Sequence, residues 1–429
     1  MRVLVLGASG LIGSSVAARL LAERHEVVAA TRRQQPHENL LHATAVTIDI
    51  ARARDPADWL PHLCAVDAVV NCAGVLQDGP GDSTTGVHRD GMAALFAACE
   101  QAGVRRLVHI SALGVDRNPT TAFARTKLAG DELLMARNFD WVILRPSVIV
   151  GRPAYGGSAL IRALAALPVL PRPPGTGPLA IVHLDDLVEA VAFFLGPAAP
   201  TRVVLEIAGP RSWPLDDVIH LFRRRLRLAP APSLRLPHWM FAAMSRLADA
   251  VGLLGWRSPM RSTALREIMR GSTGEASEWA RLTGIKPRDL EQALIAEPAS
   301  VQERWFARLY LLKPLVLGLF SLFWIATGLV ALGPGFEAAS QLMQQAGAGR
   351  LAGAGVIAGA IADIAIGVGT AIRPLARAAL LAALIVSLLY LVGGTILLPR
   401  LWADPLGPAL KIIPILVLNL VALAILDDR

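Results

Sequence analysis

Three glycines near the start of the chain have a spacing that suits phosphate binding. The segment Gly7-Ala8-Ser9-Gly10-Leu11-Ile12-Gly13 follows the β-rich run Arg2–Leu6, and Ser14–Glu23 continues in helical period. Such glycines let the backbone approach a pyrophosphate, whose charge the helix N-terminus stabilises. The spacing therefore favours a dinucleotide site over a signal peptide. The residues predicted to bind the dinucleotide are Gly7, Ser9, Gly10, Leu11, Ile12 and Gly13.

The end of the next strand-like run, His25–Thr31, bears on which dinucleotide binds. An NAD site usually places an acid here, about 20 residues past the glycines. In this chain Arg32 and Arg33 follow Thr31 instead. Two guanidiniums suit a 2′-phosphate, so the sequence predicts NADP(H) in preference to NAD(H). The alternative is that the two arginines simply begin a surface loop.

Further strand-like runs alternate with helical segments up to about residue 150. They are Ala45–Ile50, Asp67–Asn71, Val104–Ile110 and Trp141–Leu144. This alternation predicts an α/β fold with a doubly wound parallel Rossmann sheet. Beyond it, Leu236–Leu254 mixes aromatic and aliphatic residues with Arg246 and Asp249. That segment is either a helix packed in the core or a helix lying on a bilayer surface.

Several motifs are distributed over residues 1–300: the Gly7–Gly13 turn, Asp49, Asn71-Cys72-Ala73-Gly74, Ser111, Lys127 and Arg145-Pro146-Ser147. In combination they resemble the short-chain dehydrogenase/reductase family, in its atypical and extended, epimerase/dehydratase-like branches. The resemblance implies that Asp49 and Ile50 flank the adenine and that Lys127 holds the nicotinamide ribose. It also implies cofactor contacts from Cys72, Ala73, Gly74, Pro146 and Val148. His183 matches a family stretch and is interpreted as structural.

One position departs from this family pattern. The family's active site has a Tyr four residues before the Lys and a Ser upstream, and the Tyr phenol transfers the proton. Ser111 and Lys127 are present, but Phe123 occupies the Tyr position. Tyr155, in the loop that would cover the substrate, is a candidate replacement. Hydride transfer itself needs only the nicotinamide and a positioned acceptor.

Four apolar runs near the C-terminus predict an all-α, four-helix transmembrane bundle. They are Pro314–Leu332, Leu351–Ile372, Ala378–Leu398 and Leu406–Leu426, and about 20 residues suffice to cross a membrane. The block resembles the DoxX-like family. Basic residues flank one side with Arg304, Arg308, Lys313, Arg373, Arg377 and Arg429, and the other with Arg350, Arg400 and Lys411. This bias predicts a multi-pass protein of the inner (cytoplasmic) membrane with both termini and the nucleotide domain in the cytoplasm.

Three polar residues within the predicted spans lie at a similar depth. Asp363 is 12 residues from Leu351, Ser387 is 11 from Leu398, and Asn419 is 13 from Leu406. The sequence predicts that they converge, with Asn419 or Ser387 hydrogen-bonded to Asp363. The interpretations are a structural bond between helices, or a site for a proton or a polar headgroup.

Composition narrows the classes of function. The 429 residues carry a formal charge of +8, but the arginines are scattered and no nucleic-acid motif occurs, so nucleic-acid binding is not expected. The three cysteines lack metal-ligand spacing, and no metal is expected. The predicted domains are 1–300, with a substrate lobe and helical tail at 151–300, and 301–429. The oligomeric state is not predicted.

These observations predict a membrane-anchored, NADP(H)-binding oxidoreductase-like protein. Its substrate would be hydrophobic or dissolved in the membrane, such as a quinone, an isoprenoid or a lipid carbonyl. The principal alternative is a non-catalytic dinucleotide-binding module of a membrane complex, which Phe123 favours. A transporter or channel gated by dinucleotide is a third interpretation, supported only by the four spans.

Overall fold

The computed structural model describes residues 1–32, 42–173 and 175–427, which form two compact units. The first unit comprises Met1–Asp249 and Ser258–Ala307, and the second comprises Ala250–Arg257 and Arg308–Arg429. The domain boundaries predicted from the sequence stay a prediction. The described strands are β1 (Arg2–Leu6), β2 (Glu26–Thr31), β3 (Thr44–Thr47), β4 (Ala68–Asn71), β5 (Arg106–Ile110), β6 (Asp140–Pro146), β7 (Ile149–Val150), β8 (Leu170–Arg172), β9 (Val182–His183), β10 (Val203–Ile207) and β11 (Ser233–Arg235).

A parallel sheet forms the centre of the first unit. Across the described residues its strand order is β10-β6-β5-β4-β1-β2-β3, and all neighbouring strands are parallel. The strand order reverses between β1 and β4, and ligands of such sheets bind beyond the carboxyl ends of the strands at this point. The predicted doubly wound Rossmann sheet is confirmed. Two small parallel pairs, β7 with β9 and β8 with β11, lie outside it.

Helices cover the sheet and build the rest of the first unit. Both faces of β1 are buried: Val3 and Val5 pack with residues of the first and fifth helices, whereas Leu4 and Leu6 pack with Trp59 and the second helix. This double burial explains the unbroken apolar run of β1. The helices are α1 (Leu11–Ala22), α2 (Gly91–Ala102), α3 (Ala122–Met135), α4 (Gly156–Ala166), α5 (Leu184–Leu195), α6 (Leu215–Arg225), α7 (His238–Leu253), α8 (Ser262–Arg270), α9 (Ser277–Thr283), α10 (Leu290–Ala296) and α11 (Val301–Leu309).

The second unit is helical. Its helices are α12 (Leu312–Leu332), α13 (Phe336–Gln345), α14 (Ala352–Ala371), α15 (Ala376–Leu397) and α16 (Pro408–Ile425). Within the described residues, four helical segments are long and apolar enough to cross a membrane, namely Leu312–Leu332, Gly349–Ala371, Ala376–Leu397 and Pro408–Ile425. The predicted C-terminal region of four apolar helices is therefore confirmed. The additional helix α13 was not predicted.

Candidate active site

The turn between β1 and α1 is closed by contacts that leave no room for a side chain. Gly7 has a φ of +68°, and a Cβ there would lie 3.0 Å from the Cα of Ala73. A Cβ on Gly13 would lie 2.2 Å from the carbonyl oxygen of Gly7. Gly10 is the N-cap of α1, so no side chain covers the start of this helix. The turn has the geometry that brings backbone amides to a pyrophosphate. The other predicted contacts, Ser9, Leu11 and Ile12, lie on the same turn and the first turn of α1.

Arg32 follows β2 and is held by the loop that comes after β4. Its Nη1 donates hydrogen bonds to the Gly81 carbonyl oxygen at 2.7 Å and to Asp82 Oδ1 at 2.8 Å. The guanidinium at the end of β2 therefore already has a carboxylate partner, which sequence reasoning missed. Arg33, the other predicted phosphate ligand, lies outside the described residues.

Asp49 and Ile50 lie just past β3. Asp49 Oδ1 accepts a hydrogen bond from the Ala51 amide at 3.2 Å, and its Oδ2 is 3.6 Å from Arg52 Nε. The Ile50 backbone packs against Gly91, where a Cβ would lie 2.2 Å from the Ile50 carbonyl oxygen. These contacts fix the loop after β3, and its position beside an adenine stays a prediction.

Lys127 joins the ends of two central strands. It is 5% exposed, and its Nζ donates to the carbonyl oxygens of Ile110, at 2.8 Å, and Ala73, at 3.2 Å. Burial lowers the pKa of this amine to about 8, although the nearby Asp131 acts in the opposite direction. A Cβ on Gly74 would lie 3.6 Å from Nζ. Burial also raises the pKa of the neighbouring Cys72 thiol to about 12, so this group is neutral.

Ser111 is engaged by a buried carboxylate that the sequence analysis did not identify. The Ser111 hydroxyl donates to Asp131 Oδ2 at 3.0 Å, and Asp131 has no exposed surface. Arg145 Nε donates to the same oxygen at 3.0 Å and also pairs with Asp116. Burial raises the pKa of Asp131 despite these partners. Asp131 lies four residues after Lys127 on α3, a spacing that places both on one helix face and could have revealed it.

Phe123 lies one turn before Lys127 on α3 and is half-buried. Its ring packs edge-on against the His88 ring, with 5.8 Å between centroids. His88 Nε2 accepts from the Val75 amide at 3.0 Å, and Nδ1 lies 2.9 Å from Thr126 Oγ1. Burial lowers the pKa of His88 to about 2, so the ring is neutral and Nδ1 carries the proton. His88 is thus committed to its own neighbours, and no sequence motif had indicated it.

The remaining predicted residues lie at the ends of later strands. The Pro146 carbonyl oxygen accepts from the Leu113 amide at 3.0 Å, and the Val148 carbonyl oxygen accepts from the Val182 amide at 3.0 Å. The first bond attaches the end of β6 to the loop after β5, and the second attaches the residue before β7 to β9. Tyr155, the candidate replacement for the missing phenol, is the N-cap of α4 and is 40% exposed. Contacts of Pro146 and Val148 with a nicotinamide stay a prediction.

His183, Asp185 and Glu297 form a group with the spacing of metal ligands. However, Arg288 Nη1 lies 3.1 Å from His183 Nδ1 and 2.9 Å from Asp185 Oδ2. Arg225 lies 3.8 Å from Glu297. Because guanidinium groups already supply the positive charge, we assign no metal to this group.

The prediction that Asn419 or Ser387 is hydrogen-bonded to Asp363 is wrong. Asp363 Oδ1 accepts from the Tyr390 hydroxyl at 3.2 Å, whereas Asn419 Nδ2 donates to the Leu380 carbonyl oxygen at 3.0 Å. Tyr390 lies one turn beyond Ser387 on α15, and its longer side chain reaches the acid. The hydroxyl group lies close to Gly359, where a Cβ would be 3.4 Å from the Tyr390 oxygen. Asp363, Ser387 and Asn419 are all buried, as 3%, 4% and 0% exposure show.

Each of the two units contains a region that matches a known protein family. Residues 7–163 match the NAD(P)H-binding family, and residues 321–420 match the DoxX-like family. Sterol demethylase protein B of Methylococcus capsulatus is 30% identical over 339 residues, which cover 71% of this chain and 99% of that protein. Ceramide reductase of Caulobacter vibrioides is 25% identical over 263 residues, covering 59% of this chain and 81% of that protein. An uncharacterised protein of Mycobacterium tuberculosis is 31% identical over 186 residues, or 43% of this chain, which spans 19% of that relative's length.

The fold is also that of known nucleotide-sugar enzymes. UDP-glucuronic acid 4-epimerase from Bacillus cereus, solved with UDP-glucuronic acid and NAD, aligns with a TM-score of 0.54 and 20% identity, covering 72% of this chain and 100% of that chain. At this identity the similarity shows the fold alone. The chain belongs to the short-chain dehydrogenase/reductase family, and it carries an NAD(P)H-binding domain followed by a DoxX-like domain.

Proposed function

We propose that this protein is a membrane-anchored, NADP(H)-dependent reductase whose substrate is dissolved in the membrane. The observation that carries the proposal is the retention of a closed glycine turn and a buried Lys127 in a chain with four apolar spans. Two relatives, Sterol demethylase protein B and Ceramide reductase, have names that refer to lipids. We call the first unit, which carries the glycine turn, the nucleotide unit. Because the same chain carries four apolar spans, this unit would meet such hydrophobic molecules readily.

The residues at the ends of β1, β4 and β5 fit a dinucleotide. The turn at Gly7 and Gly13 would hold the pyrophosphate, because a Cβ at either position would fill the space that the backbone needs. Lys127, fixed by two carbonyl oxygens, would direct its remaining N–H toward the nicotinamide ribose. Arg32 would bind a 2′-phosphate in competition with Asp82. The cofactor supplies a hydride, and the protein must place the acceptor against it.

Phe123 bears on the class of acceptor. Reduction of a carbonyl by hydride produces an alkoxide, a strong base that a nearby acid would normally protonate. Phe123 cannot supply that proton, and the Ser111 hydroxyl is bonded to Asp131. A quinone reduced by hydride gives a hydroquinone anion, which is a much weaker base and takes its proton from water. We therefore favour a quinone, reduced to its hydroquinone by one hydride and one proton, over a lipid carbonyl.

The proposed location is the inner membrane, with the nucleotide unit in the cytoplasm. Lys313 lies at the start of α12, Arg373 follows α14, and Arg377 lies at the start of α15. Lys313 Nζ donates to the Leu426 carbonyl oxygen at 3.2 Å, just past α16. All four spans therefore have an end near these cations, and clustered Lys and Arg mark the cytoplasmic side.

The second candidate is a dinucleotide-binding module without turnover. Phe123 is the observation that favours it, because the family's proton donor is absent. Such a module would bind NADPH through the same glycine turn, and cofactor binding alone does not separate the two functions.

The experiment that separates them measures binding and oxidation on one preparation. The full-length protein in lipid nanodiscs is titrated with NADPH and NADH, then mixed with NADPH and a panel of quinones and lipid carbonyls. We expect NADPH binding and quinone-dependent oxidation. Binding without oxidation by any acceptor would leave the module and reject the reductase, whereas failure to bind either nucleotide would reject both. The matched control, Lys286→Met, replaces an exposed lysine and should behave as the unmodified protein.

A further inference from the structure

The exposed face of α7 is apolar, where a surface helix of a soluble protein would be polar. Trp239, Leu247 and Leu253 are 70%, 66% and 73% exposed. Ala243 and Ala250 are exposed between them, so apolar residues recur every three or four positions. This spacing forms one continuous face of a helix. We call these five residues the apolar stripe.

The polar contacts of α7 lie on its other side. Asp249 Oδ1 accepts from Gln77 Nε2 at 2.9 Å, from Arg261 Nε at 3.2 Å and from the Ser262 amide at 3.3 Å. Ser245, one turn earlier, is only 6% exposed. These bonds hold the polar side of the helix against the nucleotide unit, so the apolar stripe is turned outward by specific contacts.

The segment that follows α7 is bonded to one end of a membrane span. Trp256 Nε1 donates to the carbonyl oxygen of Ala371, the last residue of α14, at 2.7 Å. The Arg373 amide donates to the Leu254 carbonyl oxygen at 2.9 Å. The Arg373 guanidinium lies 5.4 Å from the centre of the Trp256 ring. The C-terminal end of α7 is therefore attached where an apolar span ends.

That end of the bundle carries a cluster of cations. Arg373 and Arg377 each pair with Asp427, at 3.0 Å and 2.9 Å. Lys313 lies beside them, bonded to the Leu426 carbonyl oxygen. Basic residues, Trp and Tyr gather at the headgroup level of a membrane, where they contact anionic lipids. Trp256 and these cations therefore indicate the depth at which α7 ends.

We propose that α7 is an interfacial helix whose apolar stripe lies in the boundary between headgroups and acyl chains of the adjoining leaflet. Lipid is the occupant because the helix continues directly into a segment bonded at the end of a span. Arg246, seven residues after Trp239 and four before Ala250, is exposed on the same face as the stripe, and its long side chain would extend from that face to an anionic headgroup, as basic side chains do at interfaces. The inference rests on the membrane location given under the proposed function, and it is independent of cofactor binding and turnover.

The test measures the depth of nitroxide spin labels on the full-length protein in nanodiscs of phosphatidylethanolamine and phosphatidylglycerol. Replacing Cys64 by Ser removes the exposed thiol, and Cys72 and Cys99 are protected because burial raises each pKa to about 12. Labels are then introduced with Ala243→Cys or Leu247→Cys on the stripe. The matched controls are Arg224→Cys, exposed on α6, and Leu319→Cys, 57% exposed within α12.

Collisions with oxygen, which dissolves in lipid, are compared with collisions with a water-soluble nickel chelate. We expect the two stripe labels to favour oxygen, at a depth of about 5–10 Å, with Arg224→Cys favouring nickel and Leu319→Cys deeper still. Stripe labels that match Arg224→Cys would overturn the inference by placing the stripe in water. Stripe labels shielded from both reagents would overturn it by showing a protein partner, such as a second copy. A Leu319→Cys label in water would reject the membrane location together with the inference, whatever the nucleotide titration shows.

Discussion

The glycine turn at the ends of β1 and β4 and the face of α3 that meets it are built from different kinds of contact. In the turn, backbone atoms set the geometry, since Gly7 and Gly13 touch neighbouring backbone. On α3, side chains set it: Lys127 is fixed by two carbonyl oxygens, and Phe123 occupies the position of the family's proton donor. Binding of the cofactor and movement of a proton therefore depend on separate elements. The turn is therefore closed in a chain that has no hydroxyl group at position 123.

The largest loss of NADPH affinity is expected when the turn alone is disturbed. Gly13→Ala should weaken NADPH binding by about 1,000-fold, or roughly 4 kcal/mol, because its Cβ would lie 2.2 Å from the Gly7 carbonyl oxygen. Gly157→Ala is the matched control, since a Cβ there meets open space. Nucleotide titration measures the effect, and circular dichroism checks that the variant is folded. A folded Gly13→Ala protein with unchanged affinity would show that the turn does not hold the cofactor.

The second effect concerns Lys127, which lies on α3 and donates to the carbonyl oxygen of Ala73, the residue that packs against Gly7. Lys127→Met should weaken NADPH binding by about 30-fold and lower Tm, because the carbonyl groups of Ile110 and Ala73 lose a buried donor. Lys286→Met, at an exposed lysine, should change neither quantity. Titration and thermal unfolding of the nanodisc protein provide the measurements. Unchanged NADPH affinity in Lys127→Met would place the amine outside the cofactor site.

Burial of Lys127 also predicts how stability depends on pH. Its pKa falls from 10.5 to about 8 in the folded protein, so between these values the unfolded chain binds more protons than the folded chain. Stability contributed by this group must therefore rise with pH across that window, by up to about 3 kcal/mol. Thermal unfolding from pH 7 to pH 10.5 should show this rise in the unmodified protein relative to Lys127→Met. Parallel profiles for the two proteins would contradict it.

The turn could be predicted because its pattern is local. Contacts between elements that are distant in the sequence could not be predicted. The Gly7–Gly13 spacing and the strand periods are contained in short stretches of sequence, so the doubly wound parallel sheet could be predicted from them, whereas the strand order could not. The contact of Phe123 with His88 joins separate elements and has no local signature. In the bundle, counting residues predicts a depth for Asp363 but says nothing of the rotation of each helix about its axis. Packing sets that rotation, and it selects Tyr390 as the partner.

A smaller effect is expected for the preference of NADPH over NADH. The unmodified protein should bind NADPH about tenfold tighter than NADH, a difference of about 1.4 kcal/mol. Arg32→Ala should remove most of this preference. Asp82→Asn should increase it, because the guanidinium loses the carboxylate that competes with a phosphate. Arg105→Ala is the control, because this 56% exposed arginine lies just before β5, at the amino ends of the strands, whereas Arg32 follows the carboxyl end of β2. Equal affinities for the two nucleotides in the unmodified protein would refute the preference.

The smallest change in cofactor affinity is expected at Phe123. Phe123→Tyr should leave the NADPH dissociation constant within about twofold of its original value, because the half-buried ring keeps its edge contact with His88 and the turn is untouched. Phe123→Leu removes the ring contact without adding a hydroxyl and so controls for packing. Nucleotide titration of the three proteins gives the comparison. An affinity loss in Phe123→Tyr comparable to that of Lys127→Met would mean that this position belongs to the cofactor site.

The rate of NADPH oxidation by Phe123→Tyr then distinguishes a quinone acceptor from a carbonyl acceptor. A positioned acid contributes about 10²–10⁴-fold to reactions that need its proton. If the acceptor is a quinone, the hydroquinone anion takes its proton from water, and the added phenol should change NADPH oxidation by less than about threefold. If the acceptor is a carbonyl, the phenol one turn before Lys127 should raise the rate by at least about tenfold. We expect the first result with quinones. A large gain with a lipid carbonyl, without oxidation by any quinone, would reassign the substrate to the carbonyl class.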